Sequence, residues 1–226
     1  MTSTDRPKVF VIGLNKTATT SIHRAFQTSG YVSRHCTYAP NRFIAKLMNN
    51  NVMARRPILS GIGPFDALSD LTYYDETQAI EAAWYFRELH AEYPNSYFLL
   101  NFRDRDSWIE SRLNHAGLFR GKTLIERAML AYGADVEDVK SIWSDLHEKF
   151  HREVRDYFTL HTAKFLDYDI INDAPEKIVN GLAGDYILGD HVWTHAARSV
   201  SGGRKRSAIR KQLSHVKWSL IERLKY

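Results

Sequence analysis

Short apolar runs alternate with longer segments in which apolar residues recur at helical spacing, and this alternation predicts the elements of the chain. The apolar runs predict strands at Lys8–Gly13, Phe65–Ser69, Tyr97–Phe102 and Lys164–Tyr168. The helical segments are Thr20–Gly30, Asn41–Asn49, Asp75–Tyr93, Trp108–His115, Thr123–Ala134, Val136–Phe158 and Pro175–Leu182. Strands that alternate with helices are typical of a parallel sheet covered on both faces. We therefore predict a single α/β domain with a central parallel sheet, helices on both faces and a helix-rich second half.

Two of the predicted helices rest on particular residues. Pro40 is expected to open the helix Asn41–Asn49, because proline favours the first turn of a helix. In the segment Asp75–Tyr93, an apolar stripe at helical spacing supports the prediction. The stripe consists of Ala79, Ala82, Ala83, Phe86 and Leu89.

The C-terminal region combines an apolar stripe with most of the excess positive charge. Residues 202–226 contain eight Lys and Arg and one Glu, so they account for more than the whole net charge of +5. The stripe consists of Ile209, Leu213, Val216, Leu220 and Leu224. We predict a domain over residues 1–201, a hinge at Ser199–Arg206 and a basic amphipathic helix over 202–226 that packs on the domain. Contact of this helix with an anionic membrane is the less favoured alternative.

The junction between the first strand and the first helix carries the clearest chemical signal. The apolar run ends at Gly13, and Lys16 follows with the hydroxyl residues Thr17, Thr19, Thr20 and Ser21. Backbone N–H groups and the positive end of a helix dipole converge at such a junction, which predicts an anion site. The alternative is a simple turn in which Thr20 or Ser21 caps the helix. Thr19 stands where the triphosphate-binding pattern G-x-x-x-x-G-K-[ST] has its lysine, which argues against triphosphate chemistry.

A second motif follows the strand Tyr97–Phe102. Arg103 comes directly after the strand, and Ser111 follows eight positions later on the next predicted helix. A guanidinium can bind a phosphate dianion through two parallel hydrogen bonds, and a hydroxyl adds a neutral donor. A surface ion pair of Arg103 with a neighbouring aspartate is the alternative.

The segment Lys16-Thr17-Ala18-Thr19-Thr20-Ser21 resembles the 5′-phosphosulfate-binding loop of the sulfotransferases, and the spaced Arg103 and Ser111 are similar to their 3′-phosphate site. The resemblance implies a P-loop-like strand–loop–helix and the donor 3′-phosphoadenosine 5′-phosphosulfate (PAPS), which leaves adenosine 3′,5′-bisphosphate. It also implies that Lys16 polarises the leaving oxygen. The residues that would bind PAPS are Lys16, Thr17, Thr19, Thr20, Ser21, Arg103 and Ser111.

The motifs depart from the family pattern at two positions. Ala18 stands where the family has glycine, and Arg105 stands where it has proline, so Arg105 either changes the turn or adds a phosphate contact. Members of the family often close the nucleotide site with a basic C-terminal segment. Residues 202–206 could therefore form a lid instead of the start of a packed helix.

Transfer to a hydroxyl needs a base at the carboxyl edge of the sheet, where α/β folds bind their ligands. Asp70 follows the second predicted strand, so it is the first candidate, and Asp66 is the reserve. Asp70 could equally be a turn or cap residue. His35 and His90 remain possible bases, because histidine titrates in the right range.

The composition also indicates the compartment and the kinds of ligand that are expected. Cys36 is the only cysteine, so no internal disulfide forms and the compartment is expected to be reducing. No secretory leader or membrane-length apolar run is apparent, which favours a cytoplasmic protein. The ten histidines show no metal-binding spacing, so we expect no metal site. Because the positive charge belongs to the C-terminal region, nucleic-acid binding is not expected.

The hypothesis from the sequence is a PAPS-dependent sulfotransferase that works by metal-free, in-line displacement. The acceptor hydroxyl could belong to a small molecule, a carbohydrate or a lipid, and the oligomeric state is left open. Two alternatives belong to other classes. One is a small-molecule kinase of related fold, and the other is a non-catalytic adaptor that binds membranes or partners through its basic C-terminal region.

Overall fold

The computed structural model describes residues 6–189. The strands are β1 (Val9–Val11), β2 (Ser33–His35), β3 (Thr37–Ala39), β4 (Arg42–Phe43), β5 (Ala67–Ser69), β6 (Thr72–Tyr74), β7 (Ala79–Glu81), β8 (Tyr97–Phe102) and β9 (Lys164–Asp169). The helices are α1 (Thr19–Thr28), α2 (Ile44–Met53), α3 (Phe86–Glu92), α4 (Arg105–Leu113), α5 (Leu124–Tyr132), α6 (Val136–Leu160) and α7 (Glu176–Leu182). A short 3-10 helix, Ala82–Tyr85, precedes α3.

The main sheet has the strand order β4-β3-β2-β5-β1-β8-β9. Five neighbouring strands, in the sheet order β2, β5, β1, β8 and β9, pair in parallel. The edge strands β3 and β4 pair antiparallel, and β6 and β7 form a separate hairpin. The predicted α/β architecture with a parallel central sheet is confirmed.

Each face of the sheet packs against a different set of helices because neighbouring strand residues point to opposite sides. Phe10 of β1 belongs to the larger core, which α2 to α6 also build. Val9 and Val11 belong to a second core, to which α1 and α7 contribute Ile22 and Ile178. Both faces are therefore covered, and β1 is buried between its neighbours with its carboxyl end leading into the loop of residues 12–18, here called the Lys16 loop.

The predicted helix Asp75–Tyr93 is wrong in its first half. Residues 72–81 form the β6–β7 hairpin instead, and the helix proper is only Phe86–Glu92. The Asp75 carboxylate accepts hydrogen bonds from the backbone N–H groups of Thr77 and Gln78, at 2.8 and 3.0 Å. Side-chain bonds of this kind compete with helix formation and favour a turn.

The second correction concerns the edge of the sheet. Pro40 does not open a helix at Asn41, because residues 40 and 41 form the turn between β3 and β4, where Asn41 has a φ of 57°. Helix α2 begins three residues later, at Ile44. Strand β2 was not predicted, since its residues Ser-Arg-His show no apolar run. The other predicted strands and helices are confirmed, with shifts of a few residues at their ends.

The predictions for the C-terminal region lie outside the described residues. These are the domain end at residue 201, the hinge Ser199–Arg206 and the helix over 202–226. Between residues 6 and 189, no helix is both long enough and apolar enough to cross a membrane.

Candidate functional site

The loop between β1 and α1 has the geometry of an anion site. Lys16 and Ala18 adopt left-handed backbone conformations, with φ of 68° and 64°. Successive N–H groups in alternating conformations of this kind form a concave nest for an anion. Ala18 is the N-cap residue of α1, and no side chain caps the helix there. The alternative in which Thr20 or Ser21 caps the helix is therefore not observed, and the first amides of α1 face the loop.

The loop is held in place by the segment that carries the second motif. The Asn101 side chain accepts a hydrogen bond from the Gly13 N–H at 3.0 Å and donates one to the Thr17 hydroxyl at 2.8 Å. The Trp108 indole N–H donates to the Asn15 carbonyl at 2.8 Å. Gly13 must be glycine, because a Cβ there would lie 2.0 Å from the Asn101 carbonyl oxygen. The two predicted motifs thus form one rigid unit.

The hydroxyl residues of the loop divide into two groups. Thr17 and Thr19 are buried, and the Thr17 hydroxyl also donates to the Leu14 carbonyl. Their side chains therefore shape the loop from inside. Thr20 and Ser21 are half-buried on the first turn of α1, and the Thr20 hydroxyl lies 3.3 Å from His35 Nε2.

Lys16 is half-buried and lies close to other titratable groups. Its Nζ lies 3.3 Å from Nδ1 of His115, at the end of α4. Burial lowers the pKa of Lys16, the carboxyl of Asp70 opposes this shift, and the charge of Arg103 adds to it. Burial and the neighbouring Lys16 lower the pKa of His115, so the imidazole is neutral and can accept from the ammonium group. The structure thus brings both Asp70 and Arg103 within electrostatic reach of Lys16.

Within residues 6–189, only part of the Arg103 guanidinium forms hydrogen bonds. Its Nε donates to the Ser107 hydroxyl at 2.9 Å, and its backbone carbonyl accepts from His147 Nε2 at 3.0 Å. The two terminal amino groups make no hydrogen bond to residues 6–189. Ser111 is half-buried on α4 and forms no hydrogen bond with Arg103. The free fork of Arg103 is therefore available to a phosphate.

Arg105 is engaged elsewhere. Its guanidinium pairs with Asp106 at 3.0 Å and also with Glu148 of α6. Its Nε and Nη1 bind these two carboxylates, which gives Arg105 a local role in joining the start of α4 to α6, and a further phosphate contact of Arg105 stays a prediction.

Asp70 lies directly after β5, at the same carboxyl edge of the sheet as the Lys16 loop. Its backbone is left-handed, with a φ of 56°, and its side chain is 21% exposed. Burial, followed by the negative charge of Glu81, raises the pKa of Asp70 to about 7, and Lys16 and Arg112 limit the rise. A carboxyl group with a pKa near neutrality can take up a proton during a reaction.

His35 supports Asp70. Its Nε2 lies 3.5 Å from the Asp70 carboxylate, and its Nδ1 lies 2.9 Å from the Ser69 hydroxyl. The ring also stacks on His23, with ring centroids 5.1 Å apart. Burial, with His23 as a smaller cause, lowers the pKa of His35 to about 4. The imidazole is therefore neutral at physiological pH, so it lies beside the Asp70 carboxylate as an uncharged neighbour and not as the cation of an ion pair.

The other two candidate bases lie elsewhere. Asp66 precedes β5, so it lies at the amino end of the sheet, where it accepts from the Val32 N–H at 2.8 Å and pairs with Arg6 at 3.6 Å. His90 of α3 bonds the Tyr157 hydroxyl at 2.9 Å. Neither lies near the Lys16 loop, and we do not retain them as bases.

Several residues of the site were not identified from the sequence. Asn101 had a signal, because it is the one strongly polar residue in the strand Tyr97–Phe102. His115 and Ser107 had none, since single polar residues on or after a helix are common. Cys36 lies beside the site, and burial followed by the charge of Asp70 raises the pKa of its thiol to about 12, so it is not a nucleophile.

Comparison with known families gives one match. A family model described as a sulfotransferase domain matches residues 8–174, which include the Lys16 loop, Asp70 and the Arg103 motif. A search of curated proteins finds no match.

Proposed function

Since the chain belongs to the sulfotransferase family over residues 8–174, we propose that it transfers a sulfuryl group from PAPS to an acceptor hydroxyl. The observation that carries the proposal is the set of hydrogen bonds that connects the two motifs. Asn101 and Trp108 bind the Lys16 loop, and Arg103 follows the strand of Asn101 with terminal amino groups that form no hydrogen bond within residues 6–189. These hydrogen bonds support the proposal, because they link a loop that suits a phosphosulfate to the segment of an arginine that suits a second phosphate.

The residues present fit PAPS in charge and shape. The nest of the Lys16 loop and the uncapped start of α1 offer N–H donors to the 5′-phosphosulfate, together with the hydroxyls of Thr20 and Ser21. Thr17 and Thr19 support the loop from the buried side. Arg103 and Ser111 would bind the 3′-phosphate.

When bound, PAPS supplies a sulfur atom whose bond to the 5′-phosphate oxygen breaks as the acceptor oxygen attacks. Asp70 would accept the proton of the acceptor hydroxyl, and its pKa of about 7 suits this task. Lys16 would stabilise the negative charge that develops on the departing phosphate oxygen, with His115 holding the ammonium group in position. His35 would keep the Asp70 carboxylate directed at the acceptor. A cytoplasmic location remains a prediction from the sequence.

Arg103→Ala is expected to weaken the binding of adenosine 3′,5′-bisphosphate by roughly 1.5–3 kcal/mol, because a charge-assisted contact to the 3′-phosphate is lost. Calorimetry measures this directly. Arg105→Ala is the matched control, since Arg105 pairs with Asp106 and Glu148, and its affinity should stay close to that of the parent.

The same titration separates the 3′-phosphate from the rest of the nucleotide. The parent protein should bind the bisphosphate more tightly than adenosine 5′-monophosphate, ATP or GTP. Equal affinity for the monophosphate and the bisphosphate would contradict the role of Arg103.

Transfer is expected to proceed at an unchanged rate in EDTA. Lys16, Arg103 and the N-terminus of α1 already supply positive potential to a group with less charge than a triphosphate. The measurement is sulfuryl transfer with and without the chelator. Loss of transfer in EDTA, or ATP turnover that depends on magnesium, would instead support a small-molecule kinase.

A further inference from the structure

A groove of about 630 Å³ opens beside the proposed donor site. Its walls come from the β3–β4 hairpin, from α2 and from the connection between α4 and α5. The side chains that matter for its chemistry are Tyr38, Arg42, Phe43, Lys46, Tyr73 and Phe119. None of the described residues that line it is acidic.

Three segments connect the groove to the catalytic groups proposed above. His35 contacts Asp70, and Tyr38 lies three residues further along the chain. Asp70 itself precedes Tyr73 by three residues, and a span of three residues reaches at most about 11 Å. His115 contacts Lys16, and the same connection reaches the groove four residues later, at Phe119. The groove therefore begins within a small molecule's length of Asp70.

One wall of the groove is aromatic. The rings of Phe43 and Tyr73 have centroids 4.7 Å apart, and Phe119 packs against them at 5.2 and 6.1 Å. All three positions come from different segments, so the wall is built by the fold. Such a surface suits an aromatic ring or the apolar face of a sugar.

The groove also holds positive charge that no acidic side chain within residues 6–189 neutralises through an ion pair. Arg42 is exposed, and Lys46 is half-buried with its Nζ 5.3 Å from the centre of the Tyr73 ring. Neither forms an ion pair with a residue in 6–189. Arg120, at the rim, lies 3.7 Å from Glu76. Two cations that have no ion-pair partner within residues 6–189, beside an aromatic wall whose described lining residues include no carboxylate, complement a ligand that carries a negative group.

We propose that this groove binds the acceptor and that the acceptor is an anionic hydroxyl compound. Its negative group pairs with Arg42 and Lys46, its ring lies on the aromatic wall, and its hydroxyl reaches Asp70. This inference rests on the proposed function, because it assigns the second substrate of the same reaction. It narrows the acceptor to compounds in which a carboxylate, sulfate or phosphate accompanies the hydroxyl.

The test uses two matched pairs of ligands that differ in charge. The first pair is a hydroxyphenyl carboxylic acid and its amide, and the second is methyl glucuronide and methyl glucoside. Each is titrated into the parent protein with adenosine 3′,5′-bisphosphate present. In at least one pair the acid should bind about tenfold more tightly than its uncharged counterpart, as expected for a charge-assisted contact. A preference in the first pair indicates an aromatic acceptor, and a preference in the second indicates a sugar acceptor.

The double variant Arg42→Met and Lys46→Met should bind both members of that pair equally, since methionine keeps the apolar stem and removes the charge. Lys177→Met, on α7, is the control for a change in net charge and should keep the preference. Equal affinity within both pairs, no binding of either pair, or a preference that survives in the double variant would overturn the proposal. Failure of the parent protein to bind adenosine 3′,5′-bisphosphate would instead count against the proposed function. The two ligand pairs can then be compared in the absence of the bisphosphate.

Discussion

Asp70→Asn is expected to slow sulfuryl transfer by about 10²–10⁴-fold, the usual contribution of a general base, with the affinity for adenosine 3′,5′-bisphosphate nearly unchanged. Asparagine is the matched replacement, because it has the same shape and tolerates the left-handed backbone at this position, where φ is 56°. The variant removes the ability to accept a proton without disturbing the turn. Steady-state rates and calorimetry on the same preparation measure the two effects.

The pH dependence of transfer tests the same role independently. Asp70 must be ionised to act as a base, so transfer by the parent should rise with pH through about 7 and then level off. Asp70→Asn should lose this rise.

Stability should respond in the opposite sense. Between the ordinary aspartate pKa and about 7, the folded protein retains a proton that the unfolded chain has released. The contribution of Asp70 to stability is therefore present at low pH and is lost as the pH rises through about 7. Above that pH, Asp70→Asn should be at least as stable as the parent, so a loss of activity there is not a loss of folding.

Asp66→Asn is the control for a second carboxyl group on the same strand segment. Asp66 binds the Val32 N–H and Arg6 at the amino end of the sheet, so its replacement should lower stability but keep the pH dependence of the parent. A fully active Asp70→Asn enzyme would show that another group takes the proton, and His35, the nearest imidazole, would be the next candidate.

The sequence predicts those parts of the site that depend on local order. Strand Tyr97–Phe102 has the predicted bounds. Its run of mostly apolar and aromatic residues lacks the polar positions that an exposed helix would show, so the sequence indicates a buried strand. Arg103 follows it at the carboxyl edge, and Asp70 follows β5 at the same edge. Both positions result from parallel topology, in which the strand ends meet, and parallel topology could be predicted from the alternation of strands and helices.

The parts that the sequence did not predict depend on side-chain bonds between distant residues or on competing local ones. Asn101 reaches Gly13 and Thr17, which are more than 80 positions away, and no pattern in either segment specifies the contact. The predicted helix over Asp75–Tyr93 was wrong in its first half, because the Asp75 carboxylate binds the backbone of a turn there and the flanking residues pair as the β6–β7 hairpin. The same hairpin brings Glu81 under the site, where it meets Arg112.

Arg112→Met is expected to lower the free energy of unfolding by about 3–5 kcal/mol, the usual cost of removing one partner of a buried ion pair. The Arg112 side chain is fully buried, and its Nη2 lies 2.9 Å from Oε1 of Glu81, which is itself 4% exposed. Its guanidinium also lies between aromatic rings, 4.2 Å from the Trp143 ring centre and 4.7 Å from that of Trp108. Removal leaves a buried carboxylate without its cation. Denaturant titration with an unchanged m-value measures the effect.

Two further variants test whether this loss of unfolding free energy results from the buried charge. Arg155→Met breaks a two-bond pair with Asp167 in which both side chains are more than a third exposed, so it should cost about 0–1 kcal/mol. The double variant Arg112→Met and Glu81→Gln removes both charges and should recover much of the loss. A double variant as unstable as Arg112→Met would show that the guanidinium acts by packing alone.

The pair beneath the site also controls the proton affinity of Asp70. The charge of Glu81 raises the pKa of Asp70, and the charge of Arg112 lowers it. If Asp70 is the base, Arg112→Met should move the rise of transfer to higher pH, and Glu81→Gln should move it to lower pH. A purely structural role for the pair predicts lower amounts of folded enzyme in both variants with no movement of the profile. Opposite shifts of the two pH–rate profiles, measured on the folded fraction, would tie this buried pair to the chemistry at Asp70, whereas two unmoved profiles would remove Asp70 from the proton transfer.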